Sequence, residues 1–534
     1  MLDKPVRDPA KPTAVKSASW PLASAASFGK WSSAWSYEHV VVVTILASML
    51  VRIICAANVP LAFDEALYWR YSKHLAAGFL DHPAMNPLMI RMGTSLFGDT
   101  PLGARFFAIV LGLPASWAVW RSAAILFDNN RIGATAALFF NLTLVMTVGS
   151  LLATSDQIVV TTSAFLLYCL SKLNQIGRGA WWLAIGAAFG VGMCSKYTTA
   201  FFAVGIFAWL VLVPERRKWL ISPWSWAGAA LALAIFSPVL IWNADHHWAS
   251  IVYQSNRMAV HQWSLRFLGE LVASQFGLAT PPLFILTCIG LFWGLRQQSE
   301  PRAARVLLGA LIWPMLVYFA WHSLHERVQG NWPEAMYPAL VVVSALAAHQ
   351  LFPRTGALAA TARWSALSAA PVGLALAAFV YLQAIFGLFP LGPRDPTARI
   401  LGVGWPQLAA EIDRVRANAQ AAVILTTDYE VAGWLSFYLP SHTPVEQVNQ
   451  RIRWVNEPVP DPQLFRGQMM YICKNQCSKL DEIKRKFAIV DFQGTFARMR
   501  GATQIEHYSL YRVADANGPV LDSLYADLPG VETP

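Results

Sequence analysis

An α-helical polytopic membrane protein with a small α/β domain near its C-terminal end is the fold class this sequence predicts, and three observations predict it. Of 534 residues, 55% are hydrophobic and only 13% charged, with a mean hydropathy of +0.40, a balance too apolar for soluble domains of this length. Apolar runs recur along residues 38–390, separated by short loops rich in Lys and Arg. From about residue 395 the composition turns soluble. The formal net charge of +10 therefore reads as membrane topology, the positive-inside pattern, and nucleic acid is not an expected partner. The 23 Trp fit interfacial belts, since an indole has an apolar body and one N–H that wants a polar partner.

Residues 1–37 carry Lys4, Arg7, Lys11, Lys16 and Lys30 among Ala, Ser and Pro, which predicts a disordered cytoplasmic tail without a signal-peptide core. The run from His39 to Ala57 is long enough to span hydrocarbon. A long outer loop, 58–100, follows. The chain re-enters at about Leu102 to Ile125, with Arg121 and Arg131 marking the cytoplasmic side. Spans at about 132–151 and 157–173 are joined outside by Ala153-Thr154-Ser155-Asp156.

Residues 180–213 lie between basic clusters at both ends, so a single crossing would put one cluster outside. Two short crossings meeting at Ser195-Lys196-Tyr197 resolve the parity, each about 22 Å long by helix rise. Lys196 then lies at or below the outer interface, where an ionisable residue is a functional candidate by default. A span at about 225–242 leads to an outer loop, 245–268, and the next crossing runs to Arg296 with Pro281-Pro282 interrupting it, so its first part is expected at the interface. Spans at about 304–321 and 335–350 flank the outer loop His322 to Pro333, and a last span, about 366–388, places the remainder outside. The total is about eleven crossings.

Beyond residue 395, helical and strand patterns alternate. Helices are predicted over Trp405 to Asn418, Glu430 to Leu439 and Ser478 to Phe487, the last with Ser478 as N-cap. Strands are predicted at 422–427, 469–472, 488–499 and 503–513. Such alternation predicts a small α/β domain over 395–515, with a flexible tail at 516–534. Cys473 and Cys477 lie in this domain as Cys-Lys-Asn-Gln-Cys and are expected to bridge in an oxidising compartment. Cys55, Cys169, Cys194 and Cys288 lie in apolar spans and read as small core residues.

Chemistry points to one stretch, Phe63-Asp64-Glu65-Ala66-Leu67-Tyr68-Trp69, with Leu80-Asp81-His82-Pro83 after it. On helix geometry alone Asp64 is an N-cap, with Glu65 favourable in the first turn of a helix running to about Gly78. The functional reading rests on company. In this topology Asp81, His82, Asp156, Lys196, Asp245, His246, His247, Arg257, His261, His322, His325, Glu326 and Arg327 all fall on one face. That gathering predicts a shared site.

Taken together, the first-loop heptapeptide, Gly78 to Met85, Ala153-Thr154-Ser155-Asp156, Ser195-Lys196-Tyr197, Trp242-Asn243-Ala244 and Asn331-Trp332-Pro333 resemble the aminoarabinose (ArnT-like) lipid A transferases. Those belong to the GT-C glycosyltransferase superfamily, related to protein O-mannosyltransferases, and the resemblance covers roughly residues 38–440. It implies a bacterial inner-membrane enzyme with a periplasmic active site and a GT-C fold with interfacial helices in the first outer loop. Such an enzyme moves a monosaccharide from a polyprenyl-phosphate donor to a lipid A, lipopolysaccharide or other envelope acceptor, usually with inversion. The family's first-loop acid maps to Asp64 and its second-loop acid to Asp156. Where the aminoarabinose enzymes read Glu-Lys-Pro, this chain has Asp81-His82-Pro83, which departs from their sugar-recognition pattern.

Residue chemistry fills in the roles. Inverting transfer needs a base for the attacking hydroxyl: Asp64 is the candidate, with Glu65 or Asp156 orienting base or acceptor. The leaving polyprenyl phosphate needs fixed cations, for which Lys196, Arg257 and Arg327 are candidates. Tyr68, Asp81, His82, Tyr197, Asn331 and Trp332 are expected to line the cavity, where a Trp can stack on sugar. No cofactor is assigned. Asp81, His82 and His246 have the chemistry of divalent-metal ligands, although their spacing is no metal signature. The rival readings are a protein O-glycosyltransferase or other envelope-glycan transferase, and, in a different class, a transporter of lipid-linked sugar.

Overall fold

The computed structural model describes residues 36–256 and 263–527. Residues 1–35 of the predicted N-terminal tail, Arg257, His261 and the last seven residues lie outside the described residues, while Ser36 and Tyr37, expected in that tail, begin the first helix. Helix α1 (Tyr37–Asn58) starts where Ser36 accepts the His39 amide and ends before Pro60, whose ring disfavours helix in the residue ahead of it. After it come the short helix α2 (Phe63–Tyr71) and the membrane helix α3 (Pro101–Phe127), capped by the Thr100 hydroxyl with Pro101 in its first turn.

Next in the chain are α4 (Ser155–Ile176), α5 (Trp181–Met193), α6 (Phe201–Leu212), α7 (Pro223–Asp245), α8 (Arg302–His322), α9 (Tyr337–Leu351) and α10 (Ala357–Phe386). Among the described residues α1, α3, α7, α8 and α10 are long and apolar enough to cross a membrane. Two further spans qualify only as bent pairs. Asn130–Leu142 with Leu144–Leu151 bends by 65°, and Leu265–Ala279 with Pro281–Arg296 by 109°. The second bend falls at the Pro281-Pro282 break, as the missing N–H groups require. Residues 181–212 form two short apolar helices rather than one crossing. They turn at Cys194-Ser195-Lys196. α5 lies directly on α7, because a Cβ on Gly186 would stand 2.0 Å from the Gly228 carbonyl oxygen.

The C-terminal part carries helix α11 (Tyr429–Tyr438) and a five-stranded sheet. Its strands are β1 (Ile424–Thr426), β2 (Val445–Gln447), β3 (Met469–Lys474), β4 (Phe487–Arg500) and β5 (Thr503–Ala516). The order is β2-β1-β3-β5-β4, with β1 parallel to both neighbours and β5 antiparallel to β3 and β4. β2 escapes the sequence pattern. The helix expected from Ser478 starts instead at Leu480 with Lys479 at its N-cap. Cys473 and Cys477 are joined as a disulfide. The tail expected to be free after Asp515 is packed as far as 527. Asp522 donates its amide to the Val448 carbonyl and pairs with Lys486 at 2.7 Å, and Val520 is buried.

Helix α2 is the joint between the two parts. It ends at Tyr71, where the Ser72 hydroxyl bonds the Trp69 carbonyl, and not at the expected Gly78. Nor is it amphipathic: Ala66, Leu67, Tyr68 and Tyr71 are buried in a core shared with Val431, Trp434, Tyr508 and Leu510. Gly433 permits this contact, since a Cβ there would lie 2.9 Å from the Leu67 amide nitrogen. At its far end Arg70 grips the C-terminal part with a two-pronged bond to Glu457 (2.7 and 2.6 Å) and a bond to the Val445 carbonyl, the geometry that suits a planar guanidinium.

Candidate active site

Four separate segments meet at the head of α2. The Asn86 amide binds the Ala153 carbonyl at 3.1 Å, the Ser195 hydroxyl binds the Ser155 carbonyl at 2.9 Å, and the Met85 amide binds the Cys194 carbonyl. These bonds bring the first loop, the 153–156 turn and the 194–197 turn into one place. Asn331 completes it, donating to Asp156 at 2.8 Å.

Asp64 is the second residue of α2. Its carboxylate is half-buried and makes no hydrogen bond or ion pair among the described residues. Burial, with Asp81, Glu430 and Asp156 as charged neighbours, pushes its pKa up to about 7, against a smaller opposing pull from Arg453. The N-cap reading of Asp64 does not hold. The N-cap is Ala62, which has no side-chain oxygen, and its amide is satisfied by Glu65 Oε2 at 2.8 Å.

Glu65 has no exposed surface and is not placed for chemistry, contrary to the expected catalytic or orienting role. Arg105 donates to Oε1 at 2.8 Å and Oε2 at 2.5 Å, and the Ala153 amide donates to Oε1 at 2.8 Å. With the Ala62 amide, four donors occupy the two oxygens, leaving nothing to offer a substrate. Arg105 in turn holds the Val59 and Pro60 carbonyls. The pair fixes α2 to α1 and α3. Sequence reasoning passed over Arg105, although an arginine inside an apolar span is itself a signal.

Asp81 accepts from the Tyr71 hydroxyl at 2.7 Å and from Arg453. Burial alone would raise its pKa, but Arg453 and Tyr71 hold it below the usual carboxylate range. Tyr68, one turn beyond Asp64, is buried with its ring 6.1 Å from that of His82. Lys196 pairs with Asp156, so this expected phosphate ligand already has an acidic partner. Tyr197 turns away toward Ser250 (3.0 Å) and Asn243 (3.4 Å).

Arg327, the other expected phosphate ligand within the described residues, is not drawn into the cluster. It is 71% exposed and paired with Glu270 at 2.9 Å, on the rim of a separate polar cavity of about 650 Å³ that Trp332 also lines. Solvent access and an acid on the spot explain its position. The expected metal set is not assembled either. Among the described residues no three His, Cys, Asp or Glu side chains gather as a metal site. Asp81 is engaged as above, while His246 stacks on Trp242 and donates from Nδ1 to its carbonyl at 2.7 Å.

Sequence reasoning missed the contribution of the C-terminal part. Asp428 caps α11 by accepting the Glu430 and Val431 amides, and this presents Tyr429 and Glu430 toward Asp64. A second missed group is Glu334, a buried acid in the field of Asp156 and Lys196. Below the site, α5, α6 and α7 enclose an apolar groove of about 620 Å³, lined by Phe189, Met193, Phe207, Trp226, Leu233 and Phe236 among others. Met193 stands three residues before Lys196, so the groove's upper end lies close in the chain to the polar cluster.

Similarity to known proteins follows this architecture. A solved structure of ArnT from Cupriavidus metallidurans, bound to undecaprenyl phosphate, superposes with a TM-score of 0.59 over 90% of this chain and 99% of that one, at 16% identity. The chain has the GT-C glycosyltransferase fold. That fold also gives the Archaeoglobus fulgidus oligosaccharyltransferase a TM-score of 0.53, at 11% identity, covering 89% of this chain and 77% of that one. The family of dolichyl-phosphate-mannose-protein mannosyltransferases matches residues 81–242, a stretch that includes Asp81, Asp156 and Lys196. Lipid A galacturonosyltransferase RgtD of Rhizobium johnstonii is 23% identical over 369 residues, 68% of this chain and 72% of that one.

Proposed function

We propose that this chain is an integral inner-membrane glycosyltransferase that moves a monosaccharide from a polyprenyl-phosphate donor to a lipid A or lipopolysaccharide-type acceptor, with inversion, on the periplasmic face. About eleven crossings, a cytoplasmic N-terminus and a periplasmic C-terminal domain belong to this reading. Its main support is the Asp64 carboxylate, which is unpartnered among the described residues and half-buried where four segments meet. A general base needs an oxygen free to accept the proton and a pKa near working pH, and Asp64 has both. Its oxygen takes the proton from the acceptor hydroxyl as the new C–O bond forms. The polyprenyl phosphate leaves with the electrons of the old bond. If the acceptor is itself a phosphate, no deprotonation is needed and the Asp64 charge stabilises the oxocarbenium-like centre instead.

The lipid donor is supported by the groove between α5, α6 and α7 and by the undecaprenyl phosphate bound in the ArnT structure. A lipid A acceptor is supported by the kinship to RgtD. The protein mannosyltransferase match favours a second reading, transfer to a protein hydroxyl. One experiment separates them. Mass spectrometry compares lipid A and core oligosaccharide from a deletion strain, the complemented strain and one carrying Asp64→Asn. The expected result is one sugar mass missing from lipid A or core in the deletion and the Asp64→Asn strain alike. Unchanged glycolipid with a sugar lost from envelope proteins would replace this reading with the second.

A further inference from the structure

Arg453, close to four hundred residues along the chain from the first-loop acids, is built into their site. It follows β2 in a single helical turn (Arg451–Trp454) whose first residue is tied back to Glu446 at 2.8 Å. The Arg453 side chain is 1% exposed. One guanidinium nitrogen donates to Asp81, the other to Gln450 at 3.3 Å, and the plane lies 4.4 Å over the Tyr429 ring. Its Nε–H has no partner among the described residues. Asp81 is also held by the Tyr71 hydroxyl, while Gln254 donates to its backbone carbonyl at 2.6 Å.

The charges around this point do not otherwise balance. Asp64 faces Asp81 from its own loop, Asp156 from α4 and Glu430 from α11. Glu430 has Lys474 at 3.5 Å, and Lys196 is committed to Asp156. Arg453 is the ion-pair partner of Asp81, with a weaker pull from His82. A buried carboxylate stripped of its ion-pair partner is strongly unfavourable, and here it would face a second carboxylate that must accept a proton.

We propose that Arg453 is a positioning residue, supplying from the C-terminal domain the counter-charge that lets Asp81 stand beside Asp64, so that this domain forms one wall of the catalytic chamber. The proposal rests on the reading of Asp64 given above. It predicts that the need for Arg453 disappears when Asp81 loses its charge.

The test uses full-length protein in lipid with a polyprenyl-phosphate sugar donor and four forms: wild type, Arg453→Met, Arg453→Lys and Asp81→Asn/Arg453→Met. Arg453→Met is expected to lower kcat roughly 100-fold, as breaking a buried pair implies, with a smaller change in KM. Arg453→Lys restores part of kcat, since it keeps the charge and loses the planar fork. Asp81→Asn/Arg453→Met exceeds Arg453→Met by about tenfold or more, the coupling expected of paired residues. A double variant no better than Arg453→Met, or an Arg453→Met enzyme with unchanged kcat, would overturn the proposal. Melting temperatures of the same proteins separate this failure from that of the functional reading. If wild type transfers no sugar, the function falls, yet recovery of the Arg453→Met melting temperature by Asp81→Asn still supports the pairing, and lack of recovery sinks it.

Discussion

Asp64 and Glu65 are neighbours in the chain that face two different regions, a half-buried cluster of acids and a sealed seat. The Glu65 carboxylate receives four donors and has no exposed surface. The Asp64 carboxylate receives none among the described residues and keeps part of its surface exposed. The difference teaches that donor count assigns the role of a buried acid. An acid whose lone pairs are filled holds structure; one left unfilled among like charges is available to take a proton.

The sharpest way to break this comparison is to neutralise each acid without changing its shape. Asp64→Asn is expected to lower kcat by roughly 10²- to 10⁴-fold, the usual worth of a general base, while the protein still folds. Sugar transfer and thermal unfolding of the same preparation would show it. Glu65→Gln should do the reverse, costing about 3–5 kcal/mol of stability because it strands the buried Arg105 charge, visible as loss of folded protein in denaturant or heat. If Glu65→Gln instead melts like wild type and loses turnover, the division of labour is wrong.

Smaller, but more specific, is the effect of pH. With Asp64 ionising near pH 7, the rate should fall on the acid side of about 7 and level off above it. The stability sign is opposite. An acid whose folded pKa lies above its unfolded value leaves the protein most stable at low pH and loses stability as pH rises through the folded value. Asp64→Asn should therefore raise the melting temperature by an amount that grows between pH 4 and 7 and then stays constant. A gain independent of pH would mean that Asp64 is not the titrating group. The smallest effect serves as a control. Lys73 and Asp99 pair at 2.5 Å on the same loop but are 27% and 51% exposed, so Lys73→Ala should cost under about 1 kcal/mol and leave turnover unchanged.

Much of this was legible in local pattern. The apolar runs became helices, the short pair at 181–212 included, because a stretch of apolar side chains identifies itself residue by residue. The alternation beyond residue 395 gave most of the sheet and missed β2. Asp64 and Asp156 were expected in one site from the predicted topology and from the family resemblance, and Asp156 is among the charges that act on Asp64. Arg453 and Glu430 were not expected there. No motif marks them: Glu430 comes near on α11, which Gly433 lets lie against α2, and Arg453 comes from the turn after β2. Helix length misled at α2 for the same reason: with a second domain on its other face it has no polar side to read.

By itself, then, the sequence determined which stretches leave water and which loops carry acids, since the free energy of moving a side chain into hydrocarbon belongs largely to that side chain. Only the tertiary structure decided which acid is consumed as an anchor, which stays open, and which distant arginine balances the cluster. Those outcomes depend on electrostatic and hydrogen-bonding energies between residues far apart in the chain, and such energies exist only once the chain has brought them within a few ångströms.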